Sequence, residues 1–299
     1  MALLERVLDV PQVARVRAVL DTFGAAAGGL LANGLAFSSL FAAIPTILLI
    51  LGVAGWLTND EKVKVQVADA LINAFPPLED LIGESLNALS AGAALTSILG
   101  VIGLVWTVSQ LYAALDVAFA RIYSNHPQRD MFRRTLRGLV VVAILVVVIV
   151  GFIVITAVAS TFEAVAPGRS PLLGSVSALF GSLPFMTAVS VIAVLVVYRT
   201  LPPKAPRWRS AVVPAVAVGI AVVLLSQIFT FLVPRLVGVA ALAGSLASAF
   251  IALAWLSFTF QALLYGAAWV RVRDEWAPTP GPSGLGGSAP PAEPSGGGE

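Results

Sequence analysis

The pattern of apolar and polar positions divides the chain into long uninterrupted apolar stretches separated by short polar segments. Six such stretches stand out, at residues 24–56, 94–119, 139–159, 183–198, 212–233 and 241–269. A bilayer core needs roughly 20 apolar residues in helical form. Most of the stretches meet that length, and the fourth reaches it if it starts near Val176. Backbone polar groups in lipid must be satisfied within the segment, so these stretches are expected to be helices. None of them alternates polar and apolar residues as a barrel strand would. The pattern predicts an all-α fold, a polytopic membrane helix bundle of about six transmembrane helices.

Three segments read differently. Residues 1–23 form a mixed, charged arm in which Val13, Val16, Leu20 and Phe23 recur at helical spacing. This suits a cytoplasmic amphipathic arm along the membrane surface, or equally a solvated helical cap before the first span. The arm lacks the early apolar run of a cleaved signal peptide. Residues 24–273 are the membrane domain, with its largest polar insertion at 57–92. There Val63, Val67, Leu71, Ile72 and Phe75 keep a helical period until Pro76-Pro77 interrupts it, and a second short helix is expected over 78–89. An outer pair of amphipathic helices is expected, with a plain solvated loop as the alternative. Residues 274–299 are rich in Pro, Gly and Ser and read as a disordered tail.

Composition adds one exclusion. With 58% hydrophobic residues, 11% charged residues and a mean hydropathy of +0.93, the chain has too little charge to cover a soluble fold of its length. It has no cysteine, hence no disulfide, thiolate nucleophile or Cys-ligated metal. The net charge of +2 says little, but the placement of the basic residues orients the chain. With both termini inside (N-in/C-in), fourteen Lys and Arg fall in cytoplasmic segments and four in outer ones. That asymmetry satisfies the positive-inside rule.

Candidate chemistry is sparse. There is a single histidine, His126, and no phosphate-binding glycine loop or paired metal-binding histidines. No catalytic or metal residue is assigned, no cofactor is implied, and the chain does not read as an enzyme. The basic loops need no specific nucleic-acid partner, because orientation explains them. What remains is a set of intramembrane polar groups. Ser109, Tyr112 and Asp116 share one face of the second stretch, and Asp116 is its single acid. A carboxylate there costs a few kcal/mol on insertion scales. It therefore lines a cavity or is a structural acid near the headgroups. Ser257, Gln261 and Tyr265 recur every four residues in the last stretch, Ser226, Gln227 and Thr230 lie in the fifth, and Asn33, Ser38 and Ser39 in the first. Asn33, Ser38, Ser109, Tyr112, Asp116, Gln227, Gln261 and Tyr265 are the candidate substrate or polar-cavity residues. The competing use of each is a hydrogen bond between helices. Pro45 is a candidate kink in the first span, and Pro214 and Pro234 bracket the fifth. Small residues repeat every four at Gly24 and Gly28 and again at Ala240, Gly244, Ser248 and Ala252. Such faces pack either within the chain or against a second protomer in a homo-oligomer.

Four segments carry a family resemblance. They are Leu31-Ala-Asn-Gly-Leu-Ala-Phe-Ser-Ser-Leu-Phe-Ala-Ala-Ile-Pro45, Leu115-Asp-Val-Ala-Phe-Ala-Arg-Ile-Tyr123, Tyr198-Arg-Thr-Leu-Pro-Pro-Lys-Ala-Pro-Arg-Trp-Arg209, and the last span with Leu264-Tyr-Gly-Ala267. Their order and spacing resemble the YihY/BrkB family of bacterial inner-membrane proteins. The resemblance implies a multi-pass plasma-membrane protein among membrane lipids. It implies either a transporter of a lipid or small solute, or a scaffold that supports envelope integrity through the outer loop. The family has carried a ribonuclease label that is generally regarded as a misassignment. One position departs: where the family commonly has Gly-Ala-Glu, this chain has Gly266-Ala267-Ala268.

Overall fold

The computed structural model describes residues 11–58, 65, 67–69, 71–72, 76–90, 93–123, 182–202, 205–240 and 246–276. The expected third span at 139–159, the loop with His126 and the tail beyond Trp276 lie outside the described residues. Every described element is helical: α1 (Pro11–Ala25), α2 (Gly28–Thr58), a 3-10 turn (Pro76–Leu78), α3 (Glu79–Ser90), α4 (Ala93–Ile122), α5 (Leu183–Thr200), α6 (Trp208–Ala240) and α7 (Leu246–Glu275). Four of these, α2, α5, α6 and α7, contain stretches long and apolar enough to cross a membrane. The chain is a helical membrane bundle, and α7 is its hub: it packs on α1, α2, α4, α5 and α6.

The first apolar stretch splits at its start. α1 ends at Ala25, and Ala27 turns the chain with φ 54°, a left-handed conformation that costs a residue with a Cβ about 1 kcal/mol. The Ala27 N–H donates to Gly24 O at 2.9 Å and closes the turn. A Cβ on Gly28 would strike the Phe23 ring, so a glycine lets that ring fold back beneath the start of α2. α1 and the turn after it face the bundle with Val19, Phe23 and Ala26, while the other apolar positions of α1 do not, leaving Val16 (61%) and Leu20 (52%) exposed.

Helix limits follow local signals. α5 starts at Leu183 because Ser182 is its N-cap, with φ −75° and ψ 142° and its side chain accepting from Phe185 N. The fifth apolar stretch is longer than its hydropathy suggests, since α6 runs Trp208–Ala240 and carries both Pro214 and Pro234 inside it. Pro45 also lies inside a continuous helix, where it removes the N–H that would bond to Phe41 O.

The buried side chains form two clusters along the bundle. One gathers Phe23, Leu35, Phe119, Ile122, Tyr198, Leu264, Ala267 and Val270. The other gathers Leu40, Ile47, Leu51, Val67, Leu78, Ile82 and Ala252. The second is closed by the 3-10 turn and α3, which packs Ile82 inward and leaves Glu79, Asp80 and Glu84 exposed. The first is closed by arginines. Arg271 donates to Ile122 O, the free carbonyl end of α4, and pairs with Glu275 at 2.7 Å. Asp274 accepts from Arg207 N at 3.1 Å, immediately before α6. The last turn of α7 thus sets a cation at one helix C-terminus and an anion at one helix N-terminus, each favoured by unsatisfied backbone groups. Arg199 lies over the Trp208 ring at 4.1 Å and Arg15 over Trp276 at 5.9 Å.

Arg271→Ala should lower stability by about 2 kcal/mol, the value of a charge-assisted hydrogen bond to a partly buried carbonyl. The exposed Glu275 contact adds little. Glu275→Gln should therefore leave the thermal transition in detergent nearly unchanged while Arg271→Ala lowers it. Equal effects from the two would contradict the capping role of Arg271.

Candidate functional site at the centre of the bundle

The sequence-derived polar residues do not all converge. Two of them do, through a third. The Ser257 hydroxyl donates to Asn33 Oδ1, and Gln261 Nε2 donates to Ser257 Oγ at 3.3 Å. A relay of three neutral side chains therefore joins α2 to α7. Ser257 and Gln261 are one helical turn apart and share a face, which is why the second can reach the first. On α7 the relay falls between Ala252 of one apolar cluster and Leu263 of the other. Counting helical rise, Ser257 stands about 21 Å from Arg271 along α7, near the middle of the helix.

A second polar contact lies nearby along α7. Trp255, nearly fully buried, donates its indole N–H to Ser226 Oγ of α6 at 3.3 Å, and Ser226 donates to Val222 O at 3.0 Å. This is an interhelical bond with both partners used.

The other candidates stand elsewhere. Ser38 donates to Gly34 O one turn back, at 3.0 Å. Tyr112 is buried in the arginine-side cluster, and Ser109 and Asp116 are half-buried on the same helix. Asp116 is six residues from the end of α4, about 9 Å from the Arg271 level, so it sits well below the relay. Tyr265 shares the relay's face of α7, but its ring stacks on Phe23 at 3.7 Å. Gln227 is exposed on α6. Ser39 keeps a buried hydroxyl with no partner among the described residues.

Two features of the bundle are not legible in the sequence pattern. Tyr198, fully buried, donates to Leu263 O at 2.8 Å and lies against Gly266, where any Cβ would overlap its hydroxyl. Gly266 belongs to the Leu264-Tyr-Gly-Ala267 segment and Tyr198 opens another of the four segments that carry the resemblance, but nothing in either says that they meet. Ala268, beside it, is fully buried in the apolar cluster. The second is Tyr123 at the arginine end, whose hydroxyl is buried without a partner among the described residues. Burial, and then the Asp274 carboxylate, push its phenol far above the usual tyrosine range, against the opposing pull of Arg271.

Among the described residues no group of three or more His, Asp or Glu side chains could hold a metal ion. The arrangement offers hydrogen bonds from neutral side chains in an apolar surround.

Comparison with known proteins fits a membrane assignment. A UPF0761 membrane protein of Tolumonas auensis is 22% identical over 248 residues, which span 82% of this chain and 80% of the relative. No solved structure matches. The family described as virulence factor BrkB matches residues 19–283, almost the whole helical bundle, and the chain belongs to that family.

Proposed function

We propose that the protein is a transporter of a lipid or small solute in the bacterial plasma membrane, oriented with its arginine-capped end in the cytoplasm, and that it acts without enzymatic chemistry. The observation that carries this reading is the Asn33–Ser257–Gln261 relay halfway along α7. Polar side chains at that depth cost free energy unless they are paired or meet water or a ligand. The Ser226–Trp255 contact shows the structural alternative in the same bundle, with the bond shared between two packed helices. The relay differs because Asn33 remains exposed. The orientation rests on Arg15, Arg199, Arg207 and Arg271 gathering at one end and the acidic α3 closing the other.

A scaffold role through residues 57–92 is less favoured. The apolar side of α3 is already spent on the bundle through Ile82, so it offers partners only its acidic side.

Reconstituted vesicles test the transport reading, with headgroup-labelled lipids and entrapped labelled solutes as cargo. Flux above protein-free vesicles is expected for at least one cargo. The double variant Asn33→Ala/Gln261→Ala should slow it about tenfold, whereas Gln227→Ala, on exposed α6 surface, should not. Flux that is indifferent to the double variant would remove the relay from the mechanism, and absence of flux across the panel would sink the transport reading.

A further inference from the structure

The relay leaves polar groups over from its internal bonds. Its internal bonds use the Asn33 carbonyl oxygen, the Ser257 hydroxyl and a single N–H of Gln261. The Asn33 amide nitrogen brings two further N–H groups and the Gln261 carbonyl a further acceptor. Neither makes another hydrogen bond among the described residues. The relay therefore ends in donors on α2 and, on α7, in an acceptor beside the second N–H of Gln261. Such ends, left bare in an apolar medium, carry a desolvation cost that a hydroxyl or amide partner would remove.

The surround of these ends is apolar and open. Leu30 (74% exposed) and Phe37 (56%) lie one turn either side of Asn33 on α2, and Phe258 (52%) follows Ser257 on α7. The surround is also uncharged. α2 has no Asp, Glu, Lys, Arg or His from Gly28 to Thr58, and α7 has none from Leu246 until Arg271. The arginines of the first cluster are committed to Ile122 O, Pro206 O, Glu275 and two tryptophan rings, about 21 Å below Ser257. A phosphate or ammonium group at the relay would meet no counter-charge in a medium where a bare charge is costly. A neutral group with hydroxyls, each both donor and acceptor, would meet donors at one end and an acceptor with a donor at the other.

We propose that Asn33, Ser257 and Gln261 form a binding site for an uncharged polyhydroxyl group, carried either as the headgroup of a neutral glycolipid or as a free neutral sugar. The proposal rests on the transport reading only for what the site is used for; the site itself is a statement about binding.

The test uses the full chain in phosphatidylcholine nanodiscs doped with equal amounts of monoglucosyl diacylglycerol and phosphatidylglycerol of the same acyl chains. Native mass spectrometry counts what stays bound. The neutral lipid should be retained about fivefold over the anionic one, roughly the worth of one net hydrogen bond. Gln261→Met keeps the chain length and removes the polar ends, and should erase that preference. Asn33→Leu should do the same, so either variant that folds is sufficient. Excess free trehalose separates the two sources. Retention that trehalose leaves intact assigns the lipid headgroup. Bound trehalose that displaces the glycolipid assigns the free sugar. Equal retention of the two lipids, preference for phosphatidylglycerol, or a preference unchanged in a folded relay variant overturns the proposal. Neutral preference without flux in the vesicle assay would defeat transport and keep the site, whereas flux selective for phosphatidylglycerol would do the reverse.

Discussion

Gly266→Val is expected to leave little folded protein. A Cβ at residue 266 would overlap the Tyr198 hydroxyl and approach Val218 Cγ2 at 2.5 Å, and the hydroxyl is pinned by its bond to Leu263 O at 2.8 Å. Three helices meet at this point, because Tyr198 belongs to α5, Val218 to α6 and Gly266 to α7. Overpacking a filled site costs about 3 kcal/mol when the neighbours cannot yield. In a membrane bundle the driving force for helix association is close packing itself, so the cost is not recovered by apolar burial elsewhere. Size-exclusion chromatography in mild detergent after graded heating reads the effect. The valine variant should aggregate at markedly lower temperature than the parent. Tyr198→Phe removes the atom nearest to the added Cβ, so Gly266→Ala should be less damaging in that background than alone. A valine variant as heat-resistant as the parent would show that α7 can shift away from α5 at no cost, and the close contact would lose its meaning.

The helical membrane fold was legible in the sequence because lipid imposes a simple rule: long apolar runs must be helices. Hydropathy located α2, α5, α6 and α7, but it misplaced their ends. It ran the first stretch through Ala25–Ala27, where backbone conformation makes a turn that no apolar count detects. It stopped the sixth stretch before Arg271, although α7 continues to Glu275. The charges that hydropathy treats as the end of a span are here part of the helix, spent on the termini of α4 and α6. Basic residues counted for orientation thus have a second use as caps.

The candidate site was legible by half. The four-residue spacing of Ser257, Gln261 and Tyr265 marked one polar face of α7, and Asn33 stood out in an apolar stretch. Which of them meet depends on the axial register of α2 against α7, more than 200 residues apart, and a single helix's period holds no such information. Register explains why Tyr265 leaves its own stripe to stack on Phe23 and why Asp116, the most conspicuous intramembrane charge, stands well below the relay. The Tyr198–Gly266 contact has the same origin: a tyrosine and a glycine were both readable, and their meeting was not.

Gly219 should tolerate substitution even less well than Gly266, for a reason that separates the two sites. A Cβ there would meet the Val191 side chain at 2.6 Å, its Cα at 2.8 Å and its backbone N at 2.9 Å. At Gly266 the nearest obstacle is the tip of a side chain, which a second substitution can remove. At Gly219 two of the three obstacles are backbone atoms of α5, and no side-chain change moves them. α5 and α6 approach so closely here that Ser190 Oγ donates to Gly219 O across the interface at 3.2 Å. A larger residue must drive the helices apart, breaking that bond together with the backbone contact. Gly219→Leu is therefore expected to lower thermal stability by about 3 kcal/mol or more, and Val191→Ala should not restore it. Restoration by Val191→Ala would mean that the side chain alone limits the approach. Ser190→Ala is the control for the hydrogen bond, with an expected loss of about 1 kcal/mol. A leucine variant no worse than Ser190→Ala would show that α5 and α6 separate freely, and that the backbone contact does not hold this pair of helices together.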